Sequence, residues 1–410
     1  MPYFQLTLGH FRVTRGRISS QCLKRNIRHS NIFKDEFGDE LSNRTTYLPR
    51  MVADELQKSA PKFSEDDLKK IKVALAKEFK SDKKKGRESD DEASGDDKEK
   101  PQSSADDNSP DQTGQLVFFP PRFADKIAKL IVDLPEDVLS AWINGKHKST
   151  KKSKDKNEKE NEKEKVKEFL ESISKESQSL TVDIALFGRM TTSDLVVNVE
   201  ASCQVAHAIS THEMILESDY FTAMDDLKSS FATTQTEKMG AAFLGSGETE
   251  TFFNSTVYYK YLNLDLDALA KHRKLKIEEV AKIAGVLATS ATLANPTGKQ
   301  NSFAAHSYPE LIMVDVSRKK RPISYANAFL QPVEGGTGKN LMAESAKALK
   351  IYDDSCGKAF APEGIRRLLM AVGPADVGLI HCDERIHKID DLTQAVADLI
   401  TTHPSGGAAT

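Results

Sequence analysis

The chain has 410 residues, with 58 Lys and Arg against 61 Asp and Glu and a formal net charge of −3. That length allows a sizeable core and more than one lobe, while the near-neutral balance selects no polyanionic partner, so local charge has to decide within about a Debye length, roughly 8 to 10 Å. Four scattered cysteines with no C-x-x-C pair suggest neither a disulfide framework nor a structural zinc site. No apolar run approaches the roughly 20 residues of a membrane span, and none has the form of a secretory signal; a soluble, cytoplasmic protein with no membrane partner is expected.

In chain order, the opening segment 1–34 carries no Asp or Glu. Arg12, Arg15 and Arg17 lead into R-I-S-S-Q-C-L-K-R-N-I-R, where Ser19 or Ser20 is a natural N-cap and Gln21 to Arg28 contains neither Gly nor Pro, which predicts a helix. At about 100° per residue, Gln21, Lys24, Arg25 and Arg28 share one arc, and Leu23 and Ile27 lie opposite. One side is expected to bury. The other, with the hydroxyls of Ser19 and Ser20 and the partial positive charge of a helix N-terminus, suits phosphate and ribose oxygens and shows no code for base edges.

Residues 35–179 read as a helical insertion. Its tracts 81–112 (acidic) and 146–167 (lysine-rich) lack the apolar content for a core and are expected to stay solvated or disordered. Between them Phe123, Ile127, Leu130 and Ile131 recur at helical spacing after Pro120-Pro121. After Leu180 the pattern turns to strands: V-D-I-A-L-F alternates at period 2 and stops at Gly188, and two further β-rich runs follow, one through Ile209 and one from Ser255 to Leu266. Residues 213–254 form a long Gly/Ser/Thr-rich stretch of the kind that is functional or disordered. Helical patterns at Ile277 to Ala288 and Ile389 to Ile400 complete an α+β class.

Several constellations resemble chemistry without matching it. E-G-G-T-G-K-N at Glu334 to Asn340 has Val333 where a phosphate loop needs Gly and Asn340 where it needs Ser or Thr, and a flexible turn is the better reading; N-P-T-G-K-Q at Asn295 also lacks the upstream Gly. His207 and His212, five apart on a strand, point to opposite faces and read as satisfied structural histidines. His381, Cys382, Asp383, Glu384 and His387 match no ligand spacing. The run Lys146 to Lys156 is a solvated connector, with a loose electrostatic guide for duplex DNA as its alternative. No cofactor or metal is expected.

The motifs R-I-S-S-Q-C-L-K-R, V-D-I-A-L-F-G-R-M, V-A-H-A-I-S-T-H, F-T-A-M-D-D-L and S-Y-A-N-A-F, in that order, resemble the type I-E CRISPR Cascade backbone subunit family, CasC, over most of the chain. The resemblance implies an RNA-recognition-motif-like (ferredoxin-like) palm with a helical finger insertion and a long thumb β-hairpin. Residues 1–34, 180–212 and 255–410 would form the palm, 35–179 the fingers and 213–254 the thumb. It implies a non-catalytic subunit that binds the crRNA guide, leaves the bases free to pair with target DNA, joins itself in a head-to-tail filament and meets other Cascade subunits. The guide contacts it implies fall on Ser19, Gln21, Lys24 and Arg28, with Met190 as an apolar wedge and Thr191 as a hydroxyl beside the RNA; Arg17, Ser20 and Arg25 join them from the basic face, and Phe221 is a thumb aromatic able to stack on a base.

Two further expectations come with this resemblance. Related backbone subunits of other CRISPR types use a thumb Asp to cut RNA with a metal, so a ribonuclease using Asp225 or Asp226 is the alternative function. Family members also carry a longer N-terminus with a strand and an Asn-Arg-Asp loop, so either P-Y-F-Q-L-T-L replaces the first palm strand or the true start lies upstream. An ordinary sequence-specific RNA-recognition-motif protein would need an aromatic signature that is absent.

Overall fold

The structure, a computed structural model, describes residues 4–8, 11–79, 111–145, 156–191, 193, 195–220, 250–360, 364–376 and 380–402. The chain forms two compact units: one comprises 1–27, 205–263 and 291–410, and the other 28–204 and 264–290. Phe221, Asp225, Asp226, the tract 81–110 and the lysines 146–155 lie outside the described residues.

In the first unit, β1 (Phe4–Leu8) and β2 (Phe11–Arg15) pair antiparallel in a two-stranded ladder of their own, so the Phe4–Leu8 part of P-Y-F-Q-L-T-L is a strand. β3 (Arg17–Ile18) then leads into α1 (Ser20–His29). β3 forms a sheet with β7 (Ala208–Ser210) and β10 (Tyr258–Tyr259), β7 in the centre, with Arg17, Ile209 and Tyr259 in one row. β8 (Glu217–Tyr220) and β9 (Glu250–Phe253) make an antiparallel ladder at the two ends of the stretch expected to be a thumb.

A second sheet has β13 (Ile365–Ala371) between β12 (Leu311–Ser317) and β14 (Glu384–Arg385). It packs with the helix Leu341–Phe360 around Tyr325, Phe329, Leu349, Leu369 and Ile380. Inside that unit the buried Arg367 guanidinium donates to both oxygens of Asp315 (2.6 and 2.8 Å), to both of Asp353 (2.6 and 3.1 Å) and to the Tyr325 hydroxyl (2.9 Å). Burial opposes the charge, yet these bonds raise the Arg367 pKa further, while burial pushes the Tyr325 phenol up.

The second unit is mainly helical. Its helices include α2 (Asn31–Phe37), α3 (Leu48–Ser59), α4 (Glu65–Glu78), α5 (Phe123–Val132), α6 (Glu136–Ile143) and α7 (Lys156–Ser177). Ser64 and Asp67 begin α4 with a reciprocal capping box, satisfying two N–H groups that the helix itself cannot. α5 carries the expected apolar stripe: Phe123, Ile127 and Ile131 are fully buried, in one core with Leu56, Trp142 and Phe169. Trp142 meets Phe169 edge-on at 5.1 Å, the quadrupole-favoured arrangement.

Two expectations fail here. The lysine-rich tract 146–167 is helical from Lys156 onward, because Val166 at its end begins a buried i, i+3, i+7 stripe with Phe169 and Ile173 that docks the helix. V-D-I-A-L-F is not a strand but the helix α8 (Val182–Phe187). All six residues are buried; an apolar run enclosed on every side has no exposed face, so its apparent alternation carried no orientation.

Gly188 ends α8 at φ +76°, and a Cβ there would lie 2.9 Å from the Val199 carbonyl oxygen. Both the left-handed backbone and the close approach call for glycine. Gly188→Ala is expected to destabilise by about 1–3 kcal/mol in urea unfolding, whereas Gly38→Ala, in helical backbone with nothing near its Cβ, should stay within about 0.5 kcal/mol of wild type.

Candidate nucleic-acid interface

The N-terminal helix is two-sided as expected. Ser19 is the N-cap: its hydroxyl accepts the Cys22 N–H at 3.2 Å and its carbonyl accepts the Leu23 N–H at 3.1 Å. Leu23 and Ile27 are buried at 2% and 1% exposure, which on typical values contributes about 1.5–3 kcal/mol each. Gln21 and Arg25 are exposed, and Arg17, Ser19, Ser20 and Lys24 are half-buried. No acid lies in the first turn, so nothing there offsets an anion's attraction to the helix start.

Arg28 departs from the expected grip. It is 5% exposed, and its Nε donates to Asp183 at 2.6 Å while Nη2 donates to the Ser42 carbonyl and hydroxyl at 3.1 and 3.2 Å. The angular projection places Arg28 amid Gln21, Lys24 and Arg25 but ignores the axis, along which Arg28 sits about 10 Å from Gln21. At that end neighbouring segments cover the helix. Arg28 is therefore a structural cation.

Its partner Asp183, in α8, also accepts from the Ser42 N–H at 3.0 Å, the Ser42 hydroxyl at 2.6 Å and the Thr181 hydroxyl at 2.7 Å. Burial alone would raise this carboxyl; the Arg28 charge and the Ser42 and Thr181 bonds override it and hold it below the usual carboxylate range. Arg44 stands over the Phe118 ring at 4.5 Å, and burial first, then repulsion from Arg28, lowers it to about 10 against the attraction of Asp183. The sequence did carry a signal for this node, since an acid inside an apolar run needs a buried partner.

Met190 and Thr191 belong to the second unit. Met190 is 87% exposed, which rejects ordinary core packing and leaves an apolar side chain projecting from a fixed turn. The turn is fixed from below: Arg189, 3% exposed, donates to the carbonyls of Val197 (2.9 Å), Ser177 (3.0 Å) and Phe118 (3.2 Å), and burial lowers its pKa to about 10. The Thr191 N–H donates to Asn198 Oδ1 at 2.7 Å, and the Thr191 hydroxyl accepts the Ser193 N–H at 3.1 Å. Arg189 was not anticipated, because nothing in G-R-M distinguishes an inward arginine from an outward one.

The other constellations find structural roles. His212 donates from Nδ1 to the Glu213 carbonyl at 2.7 Å and accepts the Val257 N–H on Nε2 at 3.1 Å, a satisfied histidine. His207 is not satisfied as expected: it is half-buried, its Nδ1 is buried with no hydrogen-bond partner among the described residues, and its pKa is lowered by burial and then by Arg17. Glu334 to Asn340 is a turn in which Asn340 Oδ1 caps the helix Leu341–Phe360 by accepting from Met342 and Ala343. Asp383 receives the Arg367 N–H and the Arg366 guanidinium. Among the described residues no group of three or more His, Cys, Asp or Glu is arranged to hold a metal, and no helix is long and apolar enough to cross a membrane.

Arg28→Ala, which strands a buried carboxylate, is expected to cost about 3–5 kcal/mol in chemical unfolding, and Arg25→Ala less than about 0.5 kcal/mol. Because the folded Asp183 pKa lies below its unfolded value, its contribution is complete above about pH 4 and lost as pH falls through the folded pKa. A wild-type acid limb steeper than that of Asp183→Asn would verify this.

A chain of a solved "CRISPR RNA-guided surveillance complex, pre-nicking" matches with TM-score 0.66 and 23% identity, covering 94% of this chain and 91% of that one. A chain of a "CRISPR RNA-guided surveillance complex" matches with TM-score 0.57 and 18% identity, covering 94% and 90%. Among curated proteins none matches. The profile of the CT1975-like protein family matches residues 7–395, nearly the whole length, and the chain belongs to that family.

Proposed function

We propose that this chain is the non-catalytic, oligomerising crRNA-binding backbone subunit of a type I-E CRISPR Cascade surveillance complex. It holds the guide by its backbone so that the bases can pair with invading DNA. The observation that carries the reading is α1. Its buried Leu23 and Ile27 fix a helix whose capped start, with Gln21, Lys24 and Arg25, is free of acids and suited to phosphates. The likeness in fold to chains from RNA-guided surveillance complexes supports it.

In this reading the β3–β7–β10 sheet belongs to an RNA-recognition-motif-like palm, the β8–β9 ladder is the base of the thumb and the helical unit supplies the fingers. Arg17, Ser19, Ser20, Gln21, Lys24 and Arg25 grip the guide, Met190 and Thr191 touch it separately, and Phe221 stacks from the thumb. Arg28 is withdrawn from the set.

A backbone-directed grip is blind to sequence. Lys24→Ala is therefore expected to weaken guide binding equally for all spacer sequences and to lower the salt slope of log affinity by about 0.7, measured by titrating labelled guides at several salt concentrations; losses that vary with spacer would count against it. Co-expression with a guide-bearing transcript should yield several copies on one RNA by native mass measurement, and a one-to-one complex would overturn the filament. Incubation with complementary RNA and magnesium is expected to leave the RNA intact. Cleavage abolished by Asp226→Ala would replace this reading with the ribonuclease.

A further inference from the structure

Between Asp315 and Glu334 the chain has no acidic residue and four consecutive cations, Arg318, Lys319, Lys320 and Arg321. All four are exposed. Ordinary solvated loops intersperse both signs; adjacent like charges repel by about 0.5–1 kcal/mol per pair even in water, so a one-sign run raises the question of what anion it meets.

The loop is also held in shape. Ser317, the last residue of β12, donates its hydroxyl to the Lys319 carbonyl at 3.0 Å and accepts the Lys319 N–H at 3.2 Å, and the Arg321 N–H donates to the Lys319 carbonyl at 2.7 Å. Its two feet are closed by one side chain. Arg367 binds Asp315 on the incoming strand and the Tyr325 hydroxyl where the chain leaves. A buried ionic node is weak support for stability by itself, but one that ties both ends of a cationic loop gives it a rigid base, which is how binding loops are usually mounted.

The same foot reaches the guide-binding sheet. The Tyr325 N–H donates to the Tyr259 hydroxyl at 2.9 Å, and Tyr259 lies in one row with Ile209 and Arg17 across β10, β7 and β3. At about 4.8 Å between strands, the Arg17 and Tyr259 backbones are about 10 Å apart. The basic entry to α1 lies on this sheet and the basic loop leaves the neighbouring β12 sheet of the same unit, with the Tyr325–Tyr259 hydrogen bond as the link between them. Protection of the β12 edge is a weaker account, because gatekeeping charges belong on the strand itself and these follow it.

We propose that Arg318–Arg321 is a second phosphate-binding element, taking the sugar-phosphate backbone of the single-stranded RNA held by α1. The proposal rests on the reading of α1 as the guide grip. The arginines would take phosphate oxygens bidentately and the lysines would act as point charges, so the contact is independent of base sequence.

The test uses the full chain and labelled single-stranded guide RNA in a salt titration. Arg318→Ala with Arg321→Ala is expected to lower the slope by about 1.4, at about 0.7 per lost single-strand phosphate contact, while Arg318→Lys with Arg321→Lys retains it. Arg367→Lys, which keeps every loop charge but loosens the feet, should weaken binding with the slope unchanged and speed amide exchange over residues 316–324. If wild type fails to bind RNA, the α1 reading falls and takes this one with it. If wild type binds, Lys24→Ala lowers the slope and the double alanine variant does not, the loop proposal alone is wrong. A loss seen only after a complementary DNA strand is added would reassign the loop to the target and overturn the guide assignment.

Discussion

A carboxylate with no access to water sits at the root of the helical unit. Asp183 is fully buried and survives as an anion only because Arg28, Ser42 and Thr181 together supply a cation and three further donors. An isolated buried charge is prohibitively costly, and a paired one is tolerable only with good geometry and every lone pair occupied. The end of α1, the Ser42 segment and the start of α8 are thereby held in one arrangement. That accounts for the loss of Arg28 from the binding face: a cation committed to an interior anion has nothing left to offer a phosphate.

How much of this was legible follows from what periodicity can encode. The apolar stripes of α5 and α1 were readable because each helix has one wet side, so the 3.6-residue repeat maps onto burial. α8 was not, because a fully enclosed run has no wet side to set its phase. The start of α7 is opaque for a related reason: the ten charged or polar residues 156–165 look as if they belong to no core, yet Val166, Phe169 and Ile173 suffice to dock the helix that contains them. Met190 shows the converse. Its type suggests interior, and only the fold reveals an apolar side chain held out at 87% exposure.

The candidate site was legible in its chemistry rather than its membership. Acid-free composition, hydroxyls at a cap and opposed faces were enough to identify α1, and its cap fell on Ser19. What a projection down the axis could not supply was depth along the helix, and Arg28 is the residue that pays for that omission. The exposed run Arg318–Arg321 was passed over because it matches no motif. Its interest comes from a buried arginine far along the sequence, a relation that no local window contains.

Arg189 and Arg28 solve the same problem by opposite means, and the difference bears on how freely the sequence can drift. Arg28 needs particular side chains at Asp183 and Ser42, so any change there must be matched by another. Arg189 is satisfied by main-chain oxygens of residues 118, 177 and 197, which every amino acid provides. Arg189 thus fastens the turn bearing Met190 without constraining the identity of residues 118, 177 and 197. A surface mounted this way can be re-lettered over evolutionary time while its backbone stays in place, in keeping with a fold retained at 23% and 18% identity.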